Sequence, residues 1–176
     1  MRKLRNLLMA ISLSIATVLP IATPSYAANN RGGYSQNDVT VTSGLSVENI
    51  EQLLPSPMKS LSKVLYEIEH SENPINAIFL MSIMRLETGN GSSYSYRYRN
   101  NVGGIMGRRG LRTFKTKEDS LRYMHSFLNT GYINKGRRNV WNIGQKYCVG
   151  GNWSHKIHRL SLNSMYKIPA LEKLTK

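Results

Sequence analysis

Acidic residues are scarce in this chain: 10 Asp and Glu stand against 24 Lys and Arg, for a formal net charge of +14. A field of that sign favours a polyanionic partner and disfavours a cationic one. Cysteine is scarcer still. Cys148 is the single cysteine, so no internal disulfide can form and the fold must rest on its apolar core. Internal repeats are absent, and so is any phosphate-binding glycine loop. His155 and His158 lie three apart in "HKIH" with neither a third ligand nearby nor an HExxH arrangement, so no metal is expected. Cys148 and His155 sit in no motif that activates a thiol nucleophile.

Long apolar runs are also missing, except for "LLMAISLSIATVL" at residues 7–19. That run is shorter than the ~20 residues of a membrane span. It follows the basic "MRKLRN" and precedes "SYA", whose small Ser25 and Ala27 suit a cleavage site before Ala28. Residues 1–27 therefore read as a signal peptide. Cleavage there leaves 149 residues and a charge of +11, enough for one domain with a core of its own. The expected product is exported, monomeric and not stably inserted in a membrane. Outside the cell, the polyanions to consider first are teichoic acids, peptidoglycan carboxylates and anionic lipids, ahead of nucleic acid. A secreted domain without disulfides suits a Gram-positive bacterium.

Residues 28–44, "ANNRGGYSQNDVTVTSG", are polar and rich in turn formers, and read as a flexible leader. Residues 45–176 carry helical patterns. Ser46 can cap a helix that Pro55 stops, and Met58, Leu61, Val64, Leu65 and Ile68 share one face of the next. In "NPINAIFLMSIMRLETG", Asn73 can cap, Pro74 suits the first helical position and Gly89 the residue past the end. Apart from Ser82, residues 77–84 are apolar, so this helix should be enclosed by protein. Thr116, Asn139 and Asn152 can cap three later helices, and "ALEKL" forms a short last one. Between them, residues 89–116 read as a long irregular loop or small hairpin, with Tyr94, Tyr96 and Tyr98 available to stack on sugar faces or to form a solvated strand edge.

Glu87 stands out because it is the sole acid between Asn73 and Lys117. It occupies the last turn of an apolar helix, where the backbone dipole is negative. Both the apolar surroundings and the dipole disfavour its charged form, so its pKa should be raised. A carboxyl that keeps its proton near neutral pH can protonate a departing oxygen. The alternative is that Glu87 merely pairs with a neighbouring arginine.

"LETGNGSS" followed by "NNVGGIM" resembles the glucosaminidase-type cell-wall hydrolases, glycoside hydrolase family 73. Their pattern is a helix ending in Glu-Ser/Thr-Gly-x-Gly, then Asn-Asn-x-x-Gly-Ile. "TFKTKEDSLRYMHSFL" and "YCVGGNWSHKI" are similar to two further segments of that family, and the likeness covers roughly residues 72–160. It implies a mostly α, lysozyme-like domain that cuts peptidoglycan strands after N-acetylglucosamine, with Glu87 as general acid and no cofactor. Tyr147 matches the active-site tyrosine, and Asn100, Asn101 and Gly104 match the cleft-lining loop. Tyr94 and Trp153 are expected to contact substrate. Gly103 replaces the family's usual aromatic, Gly150-Gly151 replaces Asp-Pro, and Trp153 stands where Tyr is frequent.

The second carboxylate of a two-acid glycosidase has no obvious counterpart. Glu118 and Asp119 are nearest in sequence, yet they open a helix, where acids are favourable for structural reasons. Without them, the substrate's own N-acetyl group can serve as nucleophile, with Tyr147 holding it. "GGIMG" also resembles a lytic transglycosylase element, with Gly107 in place of its Gln, so a transglycosylase or muramidase on the same fold stays open. A non-catalytic cationic wall binder is a further alternative, although such modules usually repeat.

Overall fold

Two buried polar side chains, Glu69 and Asn76, organise the start of the central helix. In the computed structural model, which describes residues 33–148 and 151–169, both are fully buried. The expected signal peptide, residues 28–32 of the leader and the "ALEKL" segment lie outside the described residues. Glu69 Oε1 accepts from the Ser43 amide at 2.6 Å and the Ala77 amide at 2.8 Å, and its Oε2 accepts from Ser43 Oγ at 2.7 Å. Asn76 Oδ1 accepts from the Phe79 amide at 3.1 Å, which makes it the N-cap of the helix Ala77–Thr88. The pattern predicts Asn73 as the cap. The helix starts three residues later because Glu69 and Asn76 together satisfy its first amides.

The same contacts tie residues 33–44, the described part of the expected leader, to the helical body. Asn76 Nδ2 donates to Gly33 O at 2.6 Å and Val41 O at 2.7 Å, and its amide donates to Val39 O at 2.8 Å. Val39 donates in turn to Arg138 O at 2.9 Å, and Tyr34, Val39 and Ser43 are buried. Residues 33–44 are polar in composition, but their backbone groups are matched to partners distant in sequence. Such partners leave no local signal.

Among the described residues there are seven α-helices: α1 Val47–Leu53, α2 Ser62–Glu69, α3 Ala77–Thr88, α4 Tyr94–Arg99, α5 Lys117–Gly131, α6 Val140–Tyr147 and α7 Trp153–Met165. A 3-10 turn at Ser56–Leu61 leads into α2, and another at Ile133–Lys135 follows α5. Strands β1 Met106–Gly107 and β2 Gly110–Leu111 form one antiparallel hairpin. The domain is mostly α and lysozyme-like. Every residue of α3 from Ala77 to Met84 is buried, and the helix packs chiefly against α7, with α2 and α4 beside it. Its Ser82 hydroxyl meets Ser161 of α7 at 2.9 Å, so the polar break in the apolar run is satisfied. Among the described residues no helix is long and apolar enough to cross a membrane.

Caps account for most of the remaining boundaries. Ser46 accepts from the Asn49 amide, Thr116 and Asp119 form a reciprocal capping box, and Asn139 accepts from the Trp141 and Asn142 amides. Asn152 flanks α7 without a side-chain cap bond. Within the expected irregular loop, α4 is an unanticipated helix: Ser93 caps it, and Tyr96 is buried with its hydroxyl donating to Pro57 O at 2.5 Å.

Glu69→Ala should destabilise the domain by about 2–4 kcal/mol in urea denaturation, because the Ser43 and Ala77 amides are left buried without acceptors. Glu69→Gln keeps one carbonyl acceptor and should cost less. Equal losses for the two variants would show that the hydrogen bonds are not what matters there.

Candidate active site

Helix α3 ends where its chemistry begins. Gly89 takes the left-handed conformation (φ 55°) just past the helix, and Thr88 secures the exit by donating to Met84 O at 2.6 Å while accepting from the Gly91 amide at 3.0 Å. The last turn before that exit holds Glu87, half-buried. Its Oε1 accepts from Trp153 Nε1 at 2.8 Å, a bond from the first residue of α7 to the end of α3. Burial raises the Glu87 pKa above the ordinary glutamate value, while the Trp153 hydrogen bond and the positive charge of Lys156 pull it partway back.

Arginine does not neutralise this carboxyl. Among the described residues the ion pairs are Arg122–Glu67 and Arg138–Asp38. Arg85, two residues away, sends its Nε to Asn90 Oδ1 at 3.0 Å and Nη1 to Ser164 Oγ at 3.4 Å.

Trp153 is itself fixed. Tyr147 of α6 stacks on it with ring centroids 4.5 Å apart, and Phe79 of α3 meets it edge-on at 6.4 Å. Burial pushes the Tyr147 phenol strongly up, and the negative charge of Glu87 adds to the rise, so the hydroxyl stays a donor. The structure therefore brings Glu87, Tyr147 and Trp153 into one cluster, although they come from three helices.

Gly104 completes it. A Cβ at Gly104 would lie 3.4 Å from Glu87 Oε2 and 3.6 Å from Glu87 Cβ, and the residue's φ of 62° favours glycine independently. The preceding Gly103 has a different reason. A Cβ there would meet Met124 Sδ at 2.8 Å, so the space an aromatic would need at 103 is already filled from α5.

Other sequence candidates lie apart from the acid or are turned inward. Asn101 is fully buried: Nδ2 donates to Ile105 O and Arg112 O, each at 2.9 Å, and Oδ1 accepts from the Ile105 amide at 2.8 Å. Asn100 ends α4 in the left-handed region; it donates to Phe114 O and Lys115 O and accepts from Lys117 Nζ. Asn101 is thus fully engaged inside the loop that presents Gly104, while Asn100, half-buried, ties that loop to residues 114–117. Tyr94 is exposed and packs against Tyr98 at 5.2 Å.

Of the two candidates for a second carboxylate, Asp119 is occupied by its cap. Asp119 Oδ2 accepts from the Thr116 amide at 3.1 Å in the capping box, and Glu118 acts on the buried Tyr96 phenol, whose pKa rises to about 12, chiefly through burial. Cys148 is a free, exposed thiol. Among the described residues no three His, Cys, Asp or Glu side chains converge as a metal site. Sequence reasoning did not find Lys156, Met124 or Thr88; only Thr88, inside the "ETG" motif, carried a signal that could have pointed to it.

Comparison with known proteins places the fold. The chain matches the crystal structure of S. aureus autolysin E with a TM-score of 0.64 and 19% identity, over 77% of this chain and 75% of that one. It matches a catalytic mutant of the same protein, a glutamate replaced by alanine, in complex with the disaccharide NAG-NAM: TM-score 0.66, 19% identity, 76% of this chain and 72% of that one. The complex with the muropeptide NAM-L-Ala-D-iGlu matches with a TM-score of 0.67 and 20% identity, at the same coverages. No family model matches the sequence, and no curated protein does. At these identities the likeness establishes a shared fold.

The raised pKa of Glu87 has a thermodynamic consequence. The native state holds this proton above the pH at which the unfolded chain releases it, so stability falls as pH rises toward the native pKa. Glu87→Gln, which cannot ionise but can still accept from Trp153, should therefore raise the melting temperature at neutral pH. That gain should vanish below the ordinary glutamate range. Trp153→Phe removes a bond that favours the carboxylate, so carboxyl-carbon NMR titration should find Glu87 pushed further up.

Proposed function

We propose that this chain is an exported peptidoglycan hydrolase of the glucosaminidase type, with Glu87 as its general acid. The observation that carries the reading is the Glu87 carboxyl, half-buried at the negative end of α3, where burial raises its pKa and so favours the protonated form. Support comes from its fold, shared with autolysin E, a glucosaminidase of the family whose motifs the chain resembles.

The two carboxyl oxygens are suited to different tasks. Oε1 accepts from Trp153 Nε1, so the proton belongs on Oε2, the oxygen beside Gly104. As the bond between C1 of N-acetylglucosamine and the bridging oxygen breaks, Oε2 gives that oxygen its proton and Glu87 becomes a carboxylate. The acetamido oxygen of the same sugar attacks C1 and forms a cyclic intermediate, which removes the need for a protein nucleophile. Tyr147, held as a neutral donor, is suited to orient that acetamido group. A water then opens the intermediate, giving its proton back to Glu87 and its hydroxyl to C1. The glycan strand is the partner, and no metal or cofactor enters these steps.

A lytic transglycosylase or muramidase would also use one acid, and the engagement of Asp119 in its cap keeps that second reading in play. The products separate the three. Mass spectrometry of digested cell walls should show new reducing-end N-acetylglucosamine; reducing muramic acid would indicate a muramidase, and anhydro-muramic acid a transglycosylase.

Glu87→Gln should lower wall hydrolysis by about 10³-fold or more, on the scale of losing a positioned acid. Undiminished lysis would leave a non-catalytic wall binder as the better reading. Asp119→Asn should keep activity within about twofold, since an amide oxygen can still accept from Thr116; its loss would return Asp119 to the chemistry.

A further inference from the structure

Four arginines take no part in the chemistry above, yet they share one concavity. Arg99, Arg108, Arg109 and Arg112 line a surface hollow of about 410 Å³ beside the hairpin, with Gly107 and Gly110 between them and no acidic residue on its walls. Arg108 and Arg109 are the two turn residues between β1 and β2; both are exposed. Neither is in an ion pair or hydrogen bond with any described residue. Arg99 donates through Nη1 to Leu111 O at 3.0 Å and Thr113 Oγ1 at 3.1 Å, while its Nε is buried and has no hydrogen-bond partner. The Arg112 guanidinium lies 4.4 Å from the centre of the Tyr123 ring, which holds it in place without neutralising it.

Four like charges around one hollow repel one another, and the surrounding chain supplies no counter-charge. A turn of two adjacent arginines meets no conformational demand of the hairpin, where Gly110 supplies the left-handed residue (φ 104°). The arrangement becomes favourable when an anion with several charged oxygens occupies it. A single carboxylate takes up one guanidinium fork. Guanidinium groups spread around an open hollow, some held and some free, suit a chain of phosphates passing across it.

We propose that this hollow is a binding site for a phosphodiester polymer, separate from the Glu87 cluster and independent of catalysis. The hairpin begins two residues after Gly104, which abuts Glu87. A polymer held there would tether the domain with its acid close to the adjoining wall material. The tether needs no separate targeting module.

The test is a binding measurement on the full mature chain, read without turnover, using poly(glycerol phosphate) and poly-L-glutamate of matched charge as probes. Wild type should bind the phosphate polymer at least about tenfold more tightly at ~0.1 M salt. Arg108→Gln/Arg109→Gln should weaken phosphate-polymer binding about tenfold, as expected for losing two charge-assisted contacts. Lys59→Gln/Lys63→Gln removes the same charge from exposed positions elsewhere and should change it less than twofold. Equal losses in the two double variants would mean a diffuse field and would overturn the site. Equal affinity of wild type for both probes would assign the hollow to carboxylates and overturn the phosphate reading without reference to any variant.

Discussion

The bond from Trp153 Nε1 to Glu87 Oε1 is the interaction on which the site depends. It joins the end of the most buried helix to the beginning of its main packing partner, so the acid is positioned by the core itself. Trp153 can serve this purpose because Tyr147 and Phe79 fix its ring on two sides. The bond also settles which oxygen is an acceptor and which can hold a proton. Burial and the hydrogen bond act in opposite directions on the pKa, and burial wins. A carboxyl so placed is a poor contributor to stability. The domain bears that cost at one residue, within a segment otherwise free of acids.

Much of this was visible in the sequence where a local signal existed. Ser46, Thr116 and Asn139 cap helices because short polar side chains reach amides two or three residues on, and that rule is local. The enclosure of α3 followed from its apolar run, broken only at Ser82, and the unusual position of Glu87 from the helix it ends. What was hidden depends on distant partners. "NPIN" offers two asparagines as caps, and the choice of Asn76 is made by Glu69 and by the turn at Val39, whose carbonyl accepts from the Asn76 amide. Alternating "YSYRYR" reads as a strand edge, but Tyr96 finds Pro57 and Ser93 finds the Tyr96 amide, so a short helix forms.

Asn100 and Asn101 show a different limit. The motif put this loop beside the acid, and the structure shows what its asparagine side chains bond to within the loop. Each asparagine uses its amide within the loop, where it takes the place of backbone pairing that the irregular chain lacks. Loops of this kind need such internal bonds because their own carbonyls have no ladder to join. Recurrence of a residue type in a motif thus fitted two explanations, contact and support, and only the hydrogen-bond partners separate them. Gly104 fits the contact explanation, since what it offers the acid is the absence of a side chain.

Charge separates the molecule into parts with different work. The helical body carries the paired or capped acids, including Glu67, Glu69 and Asp119, each with a structural partner. The lobe from α4 through the hairpin carries arginines and no acid at all. A second catalytic carboxylate from that lobe is therefore excluded by composition, and Asp119, at the start of α5, is spent on its cap. On the proposed reading, lone-acid chemistry and a cationic hairpin are two results of the same distribution: a lobe without acids would leave hydrolysis to Glu87 and the substrate's own acetamido group, and would leave its guanidinium groups free for anions. The acid that first looked misplaced is set apart by its burial, which raises its pKa against the opposing pull of Lys156 and the Trp153 hydrogen bond.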